Sequence, residues 1–195
     1  MHNFRSAGIA YEDHGIGLAS INSYGMRPEN FDDDDWVESV YLTELHRSVC
    51  AALGAKDMII FDWMLRKRAP SFPVRKPGEE NEESHQPSLS AYIDYTTAEL
   101  ASRLDPTTVD RKKDLIAVDE VFPTVANEVY QVRWNPNHRW NYIPDQLESE
   151  VAIFNTFDSE KEQSLAVPHC SFDLGDAEGS AVPRQSIKVR AFIFS

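Results

Sequence analysis

The sequence is poor in cysteine and in basic residues, and each shortage excludes a class of protein. Two cysteines, Cys50 and Cys170, occur in 195 residues. They are too few for a disulfide framework and lack the paired spacing of a zinc site. Lysine and arginine total 19 against 32 aspartates and glutamates, which gives a net charge of −13. Because nucleic-acid binding needs cations that neutralise phosphates, we expect no nucleic-acid partner.

Long apolar runs are also absent. No stretch approaches the ~20 apolar residues that cross a bilayer, and residues 1–11 lack the apolar centre of a signal peptide. We therefore expect a cytoplasmic protein that contacts no membrane. Hydrophobic residues make up 42% of the chain and charged residues 26%, so the chain can bury a core. This length predicts a single domain over residues 1–195.

The first regular element follows an acidic run, residues 32–35. Apolar residues then recur at near-helical spacing and stop before Gly54, which predicts an amphipathic helix; they are Val37, Tyr41, Leu45, Val49 and Leu53. Negative charge is favoured at a helix N-terminus, and the run lacks the alternating pattern of a calcium loop. The wholly apolar segment 58–61 predicts a buried strand after this helix.

Residues 69–90 differ in composition from the rest of the chain. The segment contains four prolines and four glutamates, and apolar residues are sparse. This composition predicts a mobile loop. The loop is either a lid over a pocket or an ordinary surface loop. Beyond it, Thr96 to Glu99 match a capping box and predict a short helix that reaches Leu104.

The second half of the chain reads mostly as short strands between turn residues. The predicted strands are 115–122, 129–134, 139–143, 151–157 and 187–194. This pattern predicts a mainly β fold with flanking helices (α+β), a sandwich or barrel with the helices packed outside.

Several segments resemble the AsaB-type hydroxylase/desaturase family, which includes CmcJ-type cephamycin methoxylation proteins and whose members are mostly fungal and bacterial. In the second half the resemblance rests on residues 138–142, 154–159, 168–173 and 183–190, and in the first half on residues 13–15, 40–41, 54–56, 60–62 and 66–68. It therefore spans nearly the whole chain. The family is similar to iron(II)/2-oxoglutarate oxygenases that tailor secondary metabolites, which implies a double-stranded β-helix, a jelly roll of the cupin-like kind.

The resemblance implies that Asp94 and His169 bind iron(II), with Tyr92 in the place of the usual first histidine. Residues two apart in a strand point to one face, so positions 92 and 94 can converge on one ion. Tyrosine is a poor substitute because its phenol, with a reference pKa of ~10, must lose its proton to ligate well. We predict Tyr92, Asp94 and His169 as the catalytic residues.

The resemblance also implies that Arg184 and Ser186 bind the distal carboxylate of 2-oxoglutarate. These residues are two apart, so in a strand both side chains point to one face. A guanidinium suits the role because it can pair bidentately with a carboxylate. Arg190 lies on the same face and is the alternative carboxylate partner, or a contact for an acidic substrate.

Two departures from the family predict a shortened fold. Residues 105–114 lack the extra strand and Trp-Arg-Pro-like motif that members carry, and the N-terminus is shorter than usual. Part of the sheet is therefore missing or is supplied by a second subunit in a homodimer.

The sequence is compatible with three functions. The first is hydroxylation or desaturation of a small polyketide- or terpenoid-like substrate with iron(II) and 2-oxoglutarate. The second is a metal-independent cyclase, isomerase or dehydratase in which Tyr92, Asp94 and His169 transfer protons and donate hydrogen bonds. The third is a non-catalytic binding or partner subunit.

Overall fold

The computed structural model describes residues 2–67, 91–93, 111–121, 126–159, 167–170 and 185–195. The chain forms two compact units, Met1–Leu18 with Ser88–Ser171 and Ala19–Pro87 with Phe172–Ser195. Each unit thus combines two distant stretches of sequence. The single domain over residues 1–195 stays a prediction, and the predicted lid at 69–90 lies outside the described residues.

Most of the described regular structure is β-strand, with one long helix. In chain order the elements are β1 (His2–Asn3), α1 (Tyr11–His14), β2 (Ile16–Ser20), α2 (Asp34–Trp36), α3 (Leu42–Leu53), β3 (Asp57–Lys67), β4 (Tyr92–Ile93), α4 (Arg111–Asp114), β5 (Leu115–Val121), β6 (Ala126–Val132), β7 (Asn141–Tyr142), β8 (Glu150–Phe154) and β9 (Gln185–Phe194). None of the helices in the described ranges is long and apolar enough to cross a membrane.

Four small sheets organise these strands. β1 pairs with β7, β2 with β8, and β3 with β9, and the order of the fourth sheet is β4-β6-β5. In this last sheet both pairings are antiparallel, and Val129 at the middle of β6 is only 3% exposed. A buried β-branched residue on a central strand stabilises both neighbouring ladders.

The predicted amphipathic helix is confirmed. The carboxylate of Asp33 accepts a hydrogen bond from the Trp36 backbone N–H at 3.2 Å, so the acidic run caps the helix as expected. A π-helical turn over Val37–Tyr41 leads into α3, which ends at Gly54 with a φ of 63°. The buried face of the π-helical turn and α3 together consists of Val37, Tyr41, Leu45 and Val49.

The apolar segment 58–61 is a strand, but the prediction that it is wholly buried is wrong. Met58 is buried, whereas Ile59 and Phe61 are 52% and 50% exposed. Side chains of a two-stranded ladder alternate between faces, so an apolar run exposes part of itself when only one face is covered. The strand continues through Arg66 to Lys67.

All five strands predicted for the second half are present with shifted ends. The largest difference is at 139–143, where β7 keeps only Asn141–Tyr142. The helix predicted at 96–104 lies outside the described residues.

Candidate functional site

The strand that carries Tyr92 is held by β6. Tyr92 pairs with Gln131 and Ile93 with Tyr130, and the Val132 N–H donates to the carbonyl of Ala91 at 2.8 Å. Asp94 lies outside the described residues. The start of the predicted metal-binding segment is therefore anchored to the central strand of its sheet.

His169 is held by a chain of hydrogen bonds within the first unit. The Asn155 N–H donates to the carbonyl of Gly15 at 2.6 Å, and the Val167 N–H donates to the carbonyl of Asn155 at 3.1 Å. Nδ1 of His169 lies 3.1 Å from the carbonyl oxygen of Val167. Residue 169 is thus tied to the end of β8 and to Gly15 before β2, although 154 positions separate Gly15 from His169 in sequence.

This contact fixes which nitrogen of His169 can accept or coordinate. A carbonyl oxygen only accepts hydrogen bonds, so Nδ1 must carry the proton and the lone pair of the neutral ring lies on Nε2. Nε2 is buried, and the ring lies against Phe154 with centroids 4.6 Å apart. A backbone carbonyl that binds one ring nitrogen is the usual way in which proteins orient a metal-binding histidine.

The thiol of Cys170, the neighbour of His169, is half-buried. Burial raises the pKa of the Cys170 thiol above its usual value, so the sulfur stays protonated at neutral pH. Among the residues that the structure describes, no group of three or more histidine, cysteine, aspartate or glutamate side chains is placed to hold a metal. The ligand set of Asp94 and His169 with Tyr92 stays a prediction.

The residues predicted to bind 2-oxoglutarate lie in or near β9 of the second unit. Ser186 and Arg190 belong to β9, and Arg184 lies outside the described residues. Ser186 is directly opposite Arg66 of β3, Lys188 is opposite Met64, and Arg190 is opposite Asp62. Opposite residues of an antiparallel ladder share a face, so these six positions form one row, which we call the cationic row.

Arg190 is engaged by its neighbour in the cationic row. Its Nη1 donates to Oδ2 of Asp62 at 2.6 Å, with both side chains partly buried. A guanidinium has five N–H donors, so this bond leaves Arg190 able to contact a second acceptor. The predicted role of Arg190 is therefore compatible with the ion pair, but Asp62 offsets its charge.

Sequence reasoning missed two groups of residues. The first is Asp62 and Arg66, whose period-two spacing on β3 is visible in the sequence but whose alignment with β9 is not. The second is a buried cluster in the first unit, in which Asp114 contacts Asn135 and His138. His138 lies in the loop before β7, next to the strand predicted for residues 139–143.

A family model described as "Oxidoreductase/YMDC permease-like domain" matches residues 1–107 and 100–194. Among curated proteins, the chain is 24% identical to "Alpha-ketoglutarate-dependent dioxygenase tstK" of Talaromyces stipitatus, over 95% of this chain and 79% of that protein. It is 32% identical to "Gibberellin cluster GA4 desaturase" of Gibberella fujikuroi, over 53% of this chain and 29% of that protein.

The described fold matches a solved structure as well. The chain aligns with the "iron and alpha-ketoglutarate-dependent endoperoxidase NvfI" with a TM-score of 0.72 at 21% identity, over 98% of this chain and 83% of that one. The predicted fold class, mainly β of the cupin-like kind, is confirmed. The resemblance to iron(II)/2-oxoglutarate oxygenases and desaturases of fungal secondary metabolism is confirmed too.

Proposed function

Because the chain belongs to the oxidoreductase/YMDC permease-like domain family, we propose that it oxidises a small organic substrate by using iron(II) and 2-oxoglutarate. The reaction class is hydroxylation or desaturation during the tailoring of a secondary metabolite. Relatives named as 2-oxoglutarate-dependent dioxygenases and as a desaturase support this class. We further propose a cytoplasmic protein that acts on a polyketide- or terpenoid-like molecule, alone or as a homodimer.

The orientation of His169 is the observation that carries the proposal. Nδ1 of His169 lies 3.1 Å from the carbonyl oxygen of Val167 and donates its proton to it. The lone pair on Nε2 therefore stays available for a metal ion, as ligation requires. We assign His169 and Asp94 as iron ligands, with Tyr92 beside them. Bound iron(II) would activate dioxygen, whose four oxidising equivalents are divided between the decarboxylation of 2-oxoglutarate to succinate and the two-electron oxidation of the substrate.

The chain's own residues would bind and orient the co-substrate. Arg184 and Ser186 are assigned to the distal carboxylate, the first as a bidentate cation and the second as a hydroxyl donor. Arg190 is the additional cation, and its ion pair with Asp62 limits its motion. The ring of Phe154, whose centroid lies 4.6 Å from that of His169, would keep water away from one side of the imidazole.

A second candidate function follows from Tyr92 itself. A phenol keeps its proton at neutral pH unless its surroundings lower its pKa, so it donates hydrogen bonds better than it binds iron. Asp94 and His169 would then act as acid and base, and Tyr92 would donate a hydrogen bond to a developing oxyanion, in a metal-independent cyclisation, isomerisation or dehydration.

Metal content and turnover of the purified chain test the proposal. Protein prepared without a metal-binding tag should bind ferrous iron and release succinate from 2-oxoglutarate. His169→Ala should lower both, with a loss of turnover above about 100-fold because a ligand is lost rather than a supporting contact. His46→Ala, which removes a half-exposed histidine of α3 that contacts Asp57, is the control.

Two outcomes would count against iron chemistry. Unchanged iron content and succinate release in His169→Ala would refute the assignment of His169. Product formation that survives a chelator but is lost in Asp94→Ala would favour the metal-independent candidate.

A further inference from the structure

One face of the β3–β9 ladder is unusually rich in positive charge. The cationic row consists of Asp62, Met64, Arg66, Ser186, Lys188 and Arg190. Three cations and one carboxylate leave a net charge of +2 on a row of six positions, in a chain whose total charge is −13. The opposite face of the same strands carries mostly apolar residues, namely Trp63, Leu65, Ile187 and Val189.

Arg66 and Arg190 each have a buried Nε without a hydrogen-bond partner in the part of the chain that the structure describes. Arg190 also donates from Nη1 to Asp62 at 2.6 Å, so Arg66 is the arginine of the row whose charge Asp62 does not offset. A buried donor without a partner is unfavourable because nothing replaces its lost hydrogen bonds to water, so such an atom calls for an acceptor. Arg66 is opposite Ser186, whose hydroxyl is already assigned to a carboxylate.

Asp62 determines which arginine of the row is available. It engages Arg190 at 2.6 Å, four residues beyond Ser186, and therefore offsets the positive charge at that end. Arg66 is at the other end of the row, four residues from Asp62 along β3. The charge that remains is consequently concentrated around Ser186 rather than around Arg190.

From these observations we propose that Arg66 is a carboxylate-binding residue that, with Ser186 and Lys188, holds the distal carboxylate of 2-oxoglutarate. The inference rests on the proposed function, and it extends the co-substrate site to a residue of β3. Arg190, whose charge Asp62 offsets, then contributes less to carboxylate binding than Arg66 does. A guanidinium and a hydroxyl on directly opposite strand positions can both donate to one carboxylate.

The test uses glutarate, a dicarboxylate that lacks the keto group and so does not depend on a bound metal. Binding of glutarate to the full chain is measured by calorimetry, with 2-oxoglutarate as competitor and acetate as the monocarboxylate comparison. Arg66→Met should weaken glutarate binding roughly tenfold or more, as expected for loss of a charge-assisted hydrogen bond. Arg66→Lys keeps the charge and should weaken binding less.

Lys67→Met is the matched control, since Lys67 is the next residue of β3 and lies on the opposite face. Thermal unfolding gives a second readout. Glutarate should raise the melting temperature of the wild type and of Lys67→Met but not that of Arg66→Met. Because Arg66 buries a donor without a partner, Arg66→Met without ligand should be at least as stable as the wild type.

The outcomes separate this inference from the proposed function. Glutarate affinity that is equal in Arg66→Met and the wild type, absent in both, or unaffected by 2-oxoglutarate overturns the role of Arg66. Glutarate binding that depends on Arg66, in a protein that forms no succinate with iron, would sustain the carboxylate site and refute the oxidative function. Normal succinate formation by Arg66→Met with an unchanged KM for 2-oxoglutarate would sustain the oxidative function and refute the role of Arg66 in the carboxylate site.

Discussion

His138 and Asp114 form a buried pair, with Nε2 of His138 at 3.1 Å from Oδ2 of Asp114 and side-chain exposures of only 6% and 7%. The amide of Asn135 donates to both carboxylate oxygens at 3.2 and 3.1 Å. The carbonyl of Asp114 accepts from the Arg133 N–H at 2.6 Å. The pair therefore ties the end of α4 to the loop that follows β6.

We expect Asp114→Ala to be strongly destabilising. Removing the carboxylate leaves the buried donors of Asn135 and His138 without their acceptor, so the free energy of unfolding should fall by about 3 kcal/mol. Urea denaturation measures the change. Asp119→Ala, at an exposed position of the adjoining strand β5, should stay within about 0.5 kcal/mol of the wild type. Equal effects of the two substitutions would show that the buried cluster does not stabilise this unit.

The ion pair of Asp62 and Arg190 should contribute much less to stability. Its side chains are 38% and 30% exposed, so solvent screens the attraction, and Asp62→Asn should lower the free energy of unfolding by about 1 kcal/mol or less. The difference should shrink in 1 M salt. Glu148→Gln, in the exposed turn before β8, is the control. A loss that is large and independent of salt would contradict a screened pair.

Acid should weaken the second unit through Glu44. The side chain of Arg47, the backbone N–H of Asn22 at 3.0 Å and the hydroxyl of Ser48 at 2.9 Å hold the pKa of Glu44 below its usual value. A lowered pKa in the folded state stabilises the fold above the unfolded pKa of ~4.3, and this stabilisation is lost as the pH falls through the folded pKa.

The measurement is thermal unfolding between pH 7 and pH 3. Glu44→Gln should be less stable than the wild type at pH 7, and the two should converge as the pH falls below about 4. Glu38→Gln, an exposed residue one turn and a half earlier, should show a smaller difference at pH 7. A gap between wild type and Glu44→Gln that widens in acid would reverse the assigned sign.

Local patterns in the sequence predicted local structure well. The helix from Val37 to Leu53 follows from spacing and from Gly54, because its hydrogen bonds join residues four apart. The strands of the second half were predicted from apolar runs between turn residues. Their ends shifted because pairing with a distant strand, rather than composition, decides where a ladder ends.

Contacts between distant residues could not be predicted in the same way. The positions of Ser186 and Arg190 on one face follow from period two, but the alignment of Arg66 with Ser186 depends on a strand 120 residues away. A shift of that ladder by one residue would place Lys67 there instead. The buried Asp114–His138 pair was missed for the same reason, since polar residues in a sequence are usually exposed.

The family resemblance supplied what periodicity could not. It assigned roles to Tyr92, Asp94, His169, Arg184, Ser186 and Arg190, and the relatives confirm the family that suggested those roles. The structure adds the tautomer of His169, which follows from one contact of 3.1 Å with Val167. Neither periodicity nor composition indicates which ring nitrogen of a histidine carries its proton.

Succinate formation from 2-oxoglutarate by the wild type and by Tyr92→His, each with and without added ferrous iron, tests the central claim most directly. The account predicts iron-dependent succinate from the wild type, with equal or faster formation by Tyr92→His because a histidine binds iron without first losing a proton at high pKa. Succinate from Tyr92→His alone, with none from the wild type at any iron concentration, would contradict the account and show that the natural chain has lost the oxidative reaction.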